Sequence, residues 1–160
     1  MKITLAPLND STGFWIYRVH TQAINLLRRT LQAAGYDLTP EQCYVLIRLG
    51  ELQGINQSCI GRRLFKDRHS ITRILDVLER HGYIERRPDG ADKRMFRIFL
   101  TERGDTVRDG VVPLVVAFEE SVYEGLTEED LCIMRKMLEH IAGNIEGKAQ
   151  EPGRLGAETG

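Results

Sequence analysis

Arg68-His69-Ser70-Ile71-Thr72-Arg73 places two guanidiniums, an imidazole and two hydroxyls along less than two turns of a helix. Such a set can hydrogen-bond to nucleic acid. Arg forks onto O6 and N7 of guanine, and Ser or Thr reaches either base type or a phosphate oxygen. A second set lies in the cationic loop Arg86-Arg87-Pro88-Asp89-Gly90-Ala91-Asp92-Lys93-Arg94. Arg in a minor groove is favoured by the negative potential there, and Asp92 could aim Arg94 through an ion pair. From this loop Arg86, Asp92, Lys93 and Arg94 are the candidates. A third set is Asn56-Gln57-Ser58, at a helix start whose free N–H groups favour a phosphate oxygen. Gln57 and Ser58 are the phosphate candidates, and Asn56 is the cap. Each set has a plain alternative: a solvated surface helix, a soluble turn of mixed sign, and simple N-capping.

These side chains need a scaffold. Ile71, Ile74, Leu75 and Leu78 follow at spacings of three, one and three. One helix face is therefore anchored, and Arg68, His69, Ser70, Thr72 and Arg73 point outward near its start. Asp67 can cap that helix, and His81-Gly82 closes it with Gly82 in the left-handed conformation. Before it, Asn56 caps a short helix ending near Lys66, with Ile60 and Leu64 inward. After it the apolar period changes from 3.6 to 2. Tyr83 to Arg87 reads as a strand, Pro88-Asp89-Gly90 as a turn, and Met95 to Leu100 as a second strand. In that second strand Phe96, Ile98 and Leu100 share a face. Helix, turn, helix and charged hairpin in this order suit double-stranded DNA, whose major groove admits one helix.

The flanks are helical too. Residues 11–34 carry Ile16, Val19, Ala23, Leu27 and Leu31 every three or four positions, and Gly35 ends the run. Thr39-Pro40-Glu41-Gln42 is a helix start with Thr as N-cap, Pro first and Gln completing a capping box. Cys43, Leu46, Ile47 and Leu49 then face inward, and the helix stops near Gly54. Thr101 begins a helix lined by Val107, Val111, Leu114 or Val115, Phe118 and Val122, with a bend expected at Pro113. The last helix starts at Thr127. Its Leu131, Met134, Leu138, Ile141 and Ile145 alternate by three and four, the spacing of a helix–helix seam. Beyond Gly147 little can be buried, and a disordered tail is expected.

The chain has 160 residues, 42% hydrophobic and 28% charged, the size and make-up of one domain with a packed core. Its net charge is −1, yet between residues 61 and 103 twelve Lys/Arg meet seven Asp/Glu, a local +5 that leaves −6 elsewhere. A basic centre with acidic flanks suits a module that meets phosphate at one end. No apolar run approaches the roughly 20 residues of a membrane helix, and no secretory signal is visible. Cys43, Cys59 and Cys132 are far apart and odd in number. A cytoplasmic protein without a membrane partner is expected. The histidines at 20, 69, 81 and 140 and the three cysteines show no close ligand spacing, so neither metal nor cofactor is expected. No P-loop, dinucleotide turn, nucleophile elbow or zinc-protease helix occurs, so no catalytic residue is assigned and an enzyme is not expected. A protein-binding module of the same shape is the other alternative. It would expose apolar anchors where this helix exposes cations.

Four motifs, in order and at matching separations, resemble the MarR family of winged helix-turn-helix transcriptional regulators. They are Leu38-Thr39-Pro40-Glu41-Gln42; Ser70-Ile71-Thr72-Arg73-Ile74-Leu75-Asp76; Leu78-Glu79-Arg80-His81-Gly82-Tyr83-Ile84-Glu85-Arg86; and Asp92-Lys93-Arg94 followed by Leu100-Thr101-Glu102-Arg103-Gly104. The resemblance covers about residues 11–146. It implies a mainly α fold with a small β-wing: a winged helix-turn-helix lobe plus N- and C-terminal dimerisation helices. Residues 1–160 would form a single domain, with dimerisation helices at 11–34 and 101–146, the DNA-binding lobe at 36–100 and the disordered tail at 147–160. It further implies a homodimer on a pseudo-palindromic double-stranded site with half-sites roughly 34 Å apart. The implied function is sequence-specific regulation of transcription, most often repression, relieved by a small aromatic or phenolic effector between the dimer helices and the lobe. The candidates for that effector are Trp15, Arg18, Tyr44 and Arg48, with packing or ion pairing as their plain alternatives. Some members sense oxidants through a cysteine near the start of the first helix. Phe14-Trp15-Ile16-Tyr17 stands there instead, a departure from that branch.

Overall fold

The N-terminal half builds its helices from local signals. In the computed structural model, which describes residues 10–64, 67–90 and 95–149, α1 spans Thr12–Ala33 and α2 spans Pro40–Glu51. Thr39 caps α2: its hydroxyl accepts the Gln42 N–H at 3.2 Å, and the Gln42 side chain accepts the Thr39 N–H at 2.9 Å. Such a reciprocal cap is worth about 1 kcal/mol. Strand β1 (Ile55–Asn56) and helix α3 (Gln57–Arg63) follow, then α4 (Arg68–Arg80), β2 (Ile84–Pro88), β3 (Phe96–Leu100), α5 (Glu102–Val122) and α6 (Glu128–Ala149). The described residues fall into two compact units that divide after Val122.

In the first unit, β3 is the centre of a three-stranded antiparallel sheet in the order β1-β3-β2. Ile98 pairs with Ile55 on one side and Arg86 on the other. The core draws on every helix of the unit and on the sheet: Leu27 and Leu31 of α1, Leu46 and Leu49 of α2, Ile60 of α3, Ile71, Leu75 and Leu78 of α4, Ile84, Ile98 and Leu100, and Val111 and Val115 of α5. Two glycines make the joints possible. Gly82, at φ +71°, turns the chain from α4 into β2. At Gly104 a Cβ would collide with the Tyr83 carbonyl oxygen, so only glycine lets α5 approach the turn before β2 this closely.

The structure changes several expectations. The strand β1 was not foreseen; two residues are too few to show a period. Helix α3 ends at Arg63, short of Lys66, with Leu64 as its C-cap packed against the core; Lys66 itself lies outside the described residues. Phe96 shares a strand face with Ile98 and Leu100 but is 48% exposed, because it sits at the end of β3 farthest from the core. In α1 only the C-terminal part of the stripe is covered: Leu27 and Leu31 are buried, while Ile16 and Val19 are exposed.

The second unit contains α6, whose Ile133, Met134, Met137, Leu138, Ile141 and Ile145 are all exposed large hydrophobics. The helix runs to Ala149, so residues 147–149 are helical where the tail was expected; residues 150–160 lie outside the described ones. No helix among the described residues is long and apolar enough to cross a membrane.

Candidate nucleic-acid interface

Helix α4 begins on Asp67. Its carboxylate accepts the Ser70 hydroxyl at 2.6 Å and the backbone N–H groups of His69 (2.8 Å) and Ser70 (2.9 Å). The Ser70 side-chain bond, then the Ser70 backbone bond, pull the Asp67 pKa down from 3.8 to about 2. A depressed carboxylate stabilises the folded state wherever it is ionised. That contribution is complete above the ordinary value and is lost as pH falls through about 2. Asp67→Ala should therefore be less stable than the parent by an amount that is constant from neutral pH to about 4 and shrinks below it. Denaturant unfolding at a series of pH values measures this difference; if it stayed constant down to pH 2, Asp67 would not be acting through its charge.

With the start of α4 fixed, its outer side chains sort into two groups. Arg68, His69 and Arg73 are exposed, and no ion pair holds them among the described residues. The two hydroxyls are already engaged. Ser70 donates to Asp67, and Thr72 donates to the Arg68 carbonyl at 2.6 Å. Thr72 also accepts from Gln57 Nε2 at 2.5 Å, which ties α3 to α4. Ser58 donates to the Asn56 side chain at 2.7 Å, and the same Asn56 oxygen accepts the Cys59 N–H. Gln57 and Ser58, expected to meet phosphate, thus each hold a side-chain hydrogen bond in the single chain, and Ser58 alone of the two is exposed.

The wing is partly described. Asp92, Lys93 and Arg94 lie outside the described residues. Arg86 is described, and it turns inward. Its backbone pairs with that of Ile98, so the two side chains share the sheet's inner face. Its guanidinium binds Asp76 at 2.7 Å and also Glu79, both on α4, and its side chain is only 19% exposed. Arg87, on the opposite face, pairs with Glu85 and lies over the Phe99 ring at 4.5 Å.

Sequence reading missed two further arginines. Arg62, at the end of α3, lines a cleft of about 460 Å³ together with Asn56, Gln57, Ser58, Gly61, Arg68, Ile71, Arg86, Met95 and Phe96. Its Nη2 donates to Cys59 Sγ at 3.4 Å, and it is exposed. The two basic residues in the last turn of α3 were the available signal. Arg97 binds Asp89 at 2.7 Å and the Gly54 carbonyl at 3.1 Å, joining the wing to the β1 turn. No signal for that existed without β1.

The effector candidates lie on α1 and α2, each with a packing or pairing role in the single chain. Arg18 stacks on Trp15 at 4.9 Å. Tyr44 packs against the core from α2. Arg48 is bound to Glu51 at 2.5 Å. Cys43 is buried, and desolvation raises its thiol pKa to about 11, so it remains protonated at neutral pH. Among the described residues no group of three His, Cys, Asp or Glu could hold a metal ion.

Residues 36–95, which include Arg62, Arg68, Arg73 and Arg86, match the model of the MarR family. A relative is the uncharacterised HTH-type transcriptional regulator YybA of Bacillus subtilis, 31% identical over 115 residues, 69% of this chain and 73% of that one. Among solved structures, the transcriptional repressor CouR bound to a 23-mer DNA duplex is 25% identical with a TM-score of 0.76, covering 89% of this chain and 99% of its own. The PcaV regulator of Streptomyces coelicolor, in complex with its natural ligand, shares the fold at 21% identity and TM-score 0.77, covering 88% and 98%.

Proposed function

The chain belongs to the MarR family of winged helix-turn-helix, DNA-binding transcriptional regulators, and on that premise we propose that it is a cytoplasmic homodimeric repressor released from a pseudo-palindromic site by a small aromatic ligand. The single observation that carries the DNA-reading part is the outer edge of α4. Arg68, His69 and Arg73 stand exposed and free of ion pairs among the described residues, on a helix whose other face is locked into the core by Ile71, Leu75 and Leu78. Arg94 of the wing would reach the adjacent minor groove, with Lys93 beside it and Asp92 aiming it. Arg62 adds cationic surface next to Arg68. The repressor reading is supported by CouR, a transcriptional repressor of the same fold bound to DNA.

Dimerisation is supported by the exposed apolar faces of the outer helices, in particular Trp15, Ile16, Tyr17 and Val19 of α1 and the α6 face. The effector reading is supported by the ligand held in the similar fold of PcaV. Trp15, Arg18, Tyr44 and Arg48 would line its site once a second copy closes over them.

The test is gel retardation of the DNA upstream of the chain's own reading frame. Log affinity should fall linearly with log salt at about −0.9 per phosphate contact, and a panel of hydroxybenzoates should include at least one that releases the DNA. No retardation of any genomic fragment at low salt would overturn the DNA assignment. Retardation that no aromatic acid relieves would overturn the effector.

A further inference from the structure

Helix α4 and strand β2 meet at a short pivot, His81-Gly82-Tyr83, in which Gly82 adopts φ +71°. A hairpin attached only there could swing. On the β3 side the β1 pairing and Arg97 oppose swinging; on the β2 side the tie to α4 lies away from the pivot. Arg86 reaches back from β2 to Asp76 (2.7 Å) and Glu79 on α4. At helical and strand rises of about 1.5 and 3.3 Å per residue, the attachment points sit roughly 7 Å along the helix and 13 Å along the strand from the turn. Asp76 and Glu79 are three apart, so they share a helix face. Nη2 binds one and Nη1 the other. A planar fork held at both tips fixes orientation as well as distance.

We infer that Arg86 is a positioning residue for DNA binding: it sets the angle between the reading helix and the wing and does not itself contact phosphate. The inference rests on the proposed use of α4 and the wing in DNA reading. Charge supports it. Arg86 with its two carboxylates sums to −1, so the trio offers a phosphate no net attraction. Its side chain is 19% exposed, and the exposed Arg68 and Arg73 have no such partners among the described residues.

A double-mutant cycle on the full chain separates the roles, with affinity for the upstream fragment measured across a salt series. Arg86→Ala should weaken binding about ten-fold while leaving the salt slope unchanged, the size of coupling typical of contacting groups. In the Asp76→Asn/Glu79→Gln background, Arg86→Ala should cost nothing further, because the brace is already gone. An equal cost in both backgrounds, a slope reduced by about 0.9 per copy, or no loss at all in the single variant would each overturn the inference. Thermal unfolding checks that the variants are folded. Should Arg86→Ala fail that check, Arg86→Lys takes its place. A lysine cannot fork, so it should lose most of the same affinity with the slope intact, and full parental affinity would overturn the brace. Arg73→Ala runs alongside. If the parent and Arg73→Ala bind alike, the α4 reading fails, whatever Arg86 does.

Discussion

Arg73→Ala should weaken operator binding at least about 30-fold. A bidentate Arg–guanine contact carries roughly 1–3 kcal/mol of discrimination. A two-fold complex contains it twice, so about 2–6 kcal/mol is at stake. Folding should be untouched, since Arg73 is exposed and no ion pair holds it among the described residues. The kind of contact is readable from salt. If Arg73 reads a base, the loss should be greatest on the true operator and small on random DNA, with little change in slope. If it meets a phosphate, the loss should be uniform across sequences, and the slope should fall by about 0.9 per copy. Arg94→Ala should also weaken binding. Fluorescence anisotropy with operator and scrambled duplexes at several salt concentrations decides between these. Unchanged affinity in Arg73→Ala and Arg94→Ala would sink the assignment of the reading edge.

The exposed edge of α4 was legible because a helix carries its own address. Asp67 as cap and Ile71, Leu75 and Leu78 as the anchored face fix which way Arg68, His69 and Arg73 must point. Capping at Thr39 and the turn at Gly82 were legible for the same reason: each is a local rule with a local cause. What failed to show was tertiary. The engagement of Gln57 by Thr72 joins residues 15 apart, and that of Arg97 by Gly54 joins residues 43 apart. Neither distance leaves a periodic trace. Arg86 is the instructive case. Ile84 is buried, and a period of two puts Arg86 on the same inner face. Asp76 and Glu79 three apart on the preceding helix were the waiting partners. The alternation was visible, but the loop's overall positive charge drew attention away from the two carboxylates that Arg86 binds.

Ile141→Glu should abolish the proposed dimer and, with it, most of the operator affinity. On α6, Met134, Leu138, Ile141 and Ile145 follow at four, three and four, and Ile133 and Met137 widen the stripe, all of them exposed in the single chain. Burying large apolar side chains contributes about 1.5–3 kcal/mol each when fully covered. These six are between 36% and 63% exposed, so each has only part of its surface left to bury. A useful interface therefore needs the whole stripe. A carboxylate at its centre must be dehydrated without a partner or must hold a proton, at a cost of several kcal/mol. Two-fold symmetry places it in the interface twice. Together these exceed what a partly exposed stripe can return, and sedimentation should report monomer at micromolar concentration. The first unit keeps its own core, with Leu27, Leu46, Leu75 and Val111 fully buried, so the lobe should remain folded. Each lobe would then meet its half-site alone. Losing the linkage removes an avidity gain of roughly 10²- to 10⁴-fold, while affinity for an isolated half-site should stay near the parental value. An Ile141→Glu chain that remained dimeric would remove α6 from the interface. A monomer with undiminished operator affinity would show that the two lobes do not act as a pair.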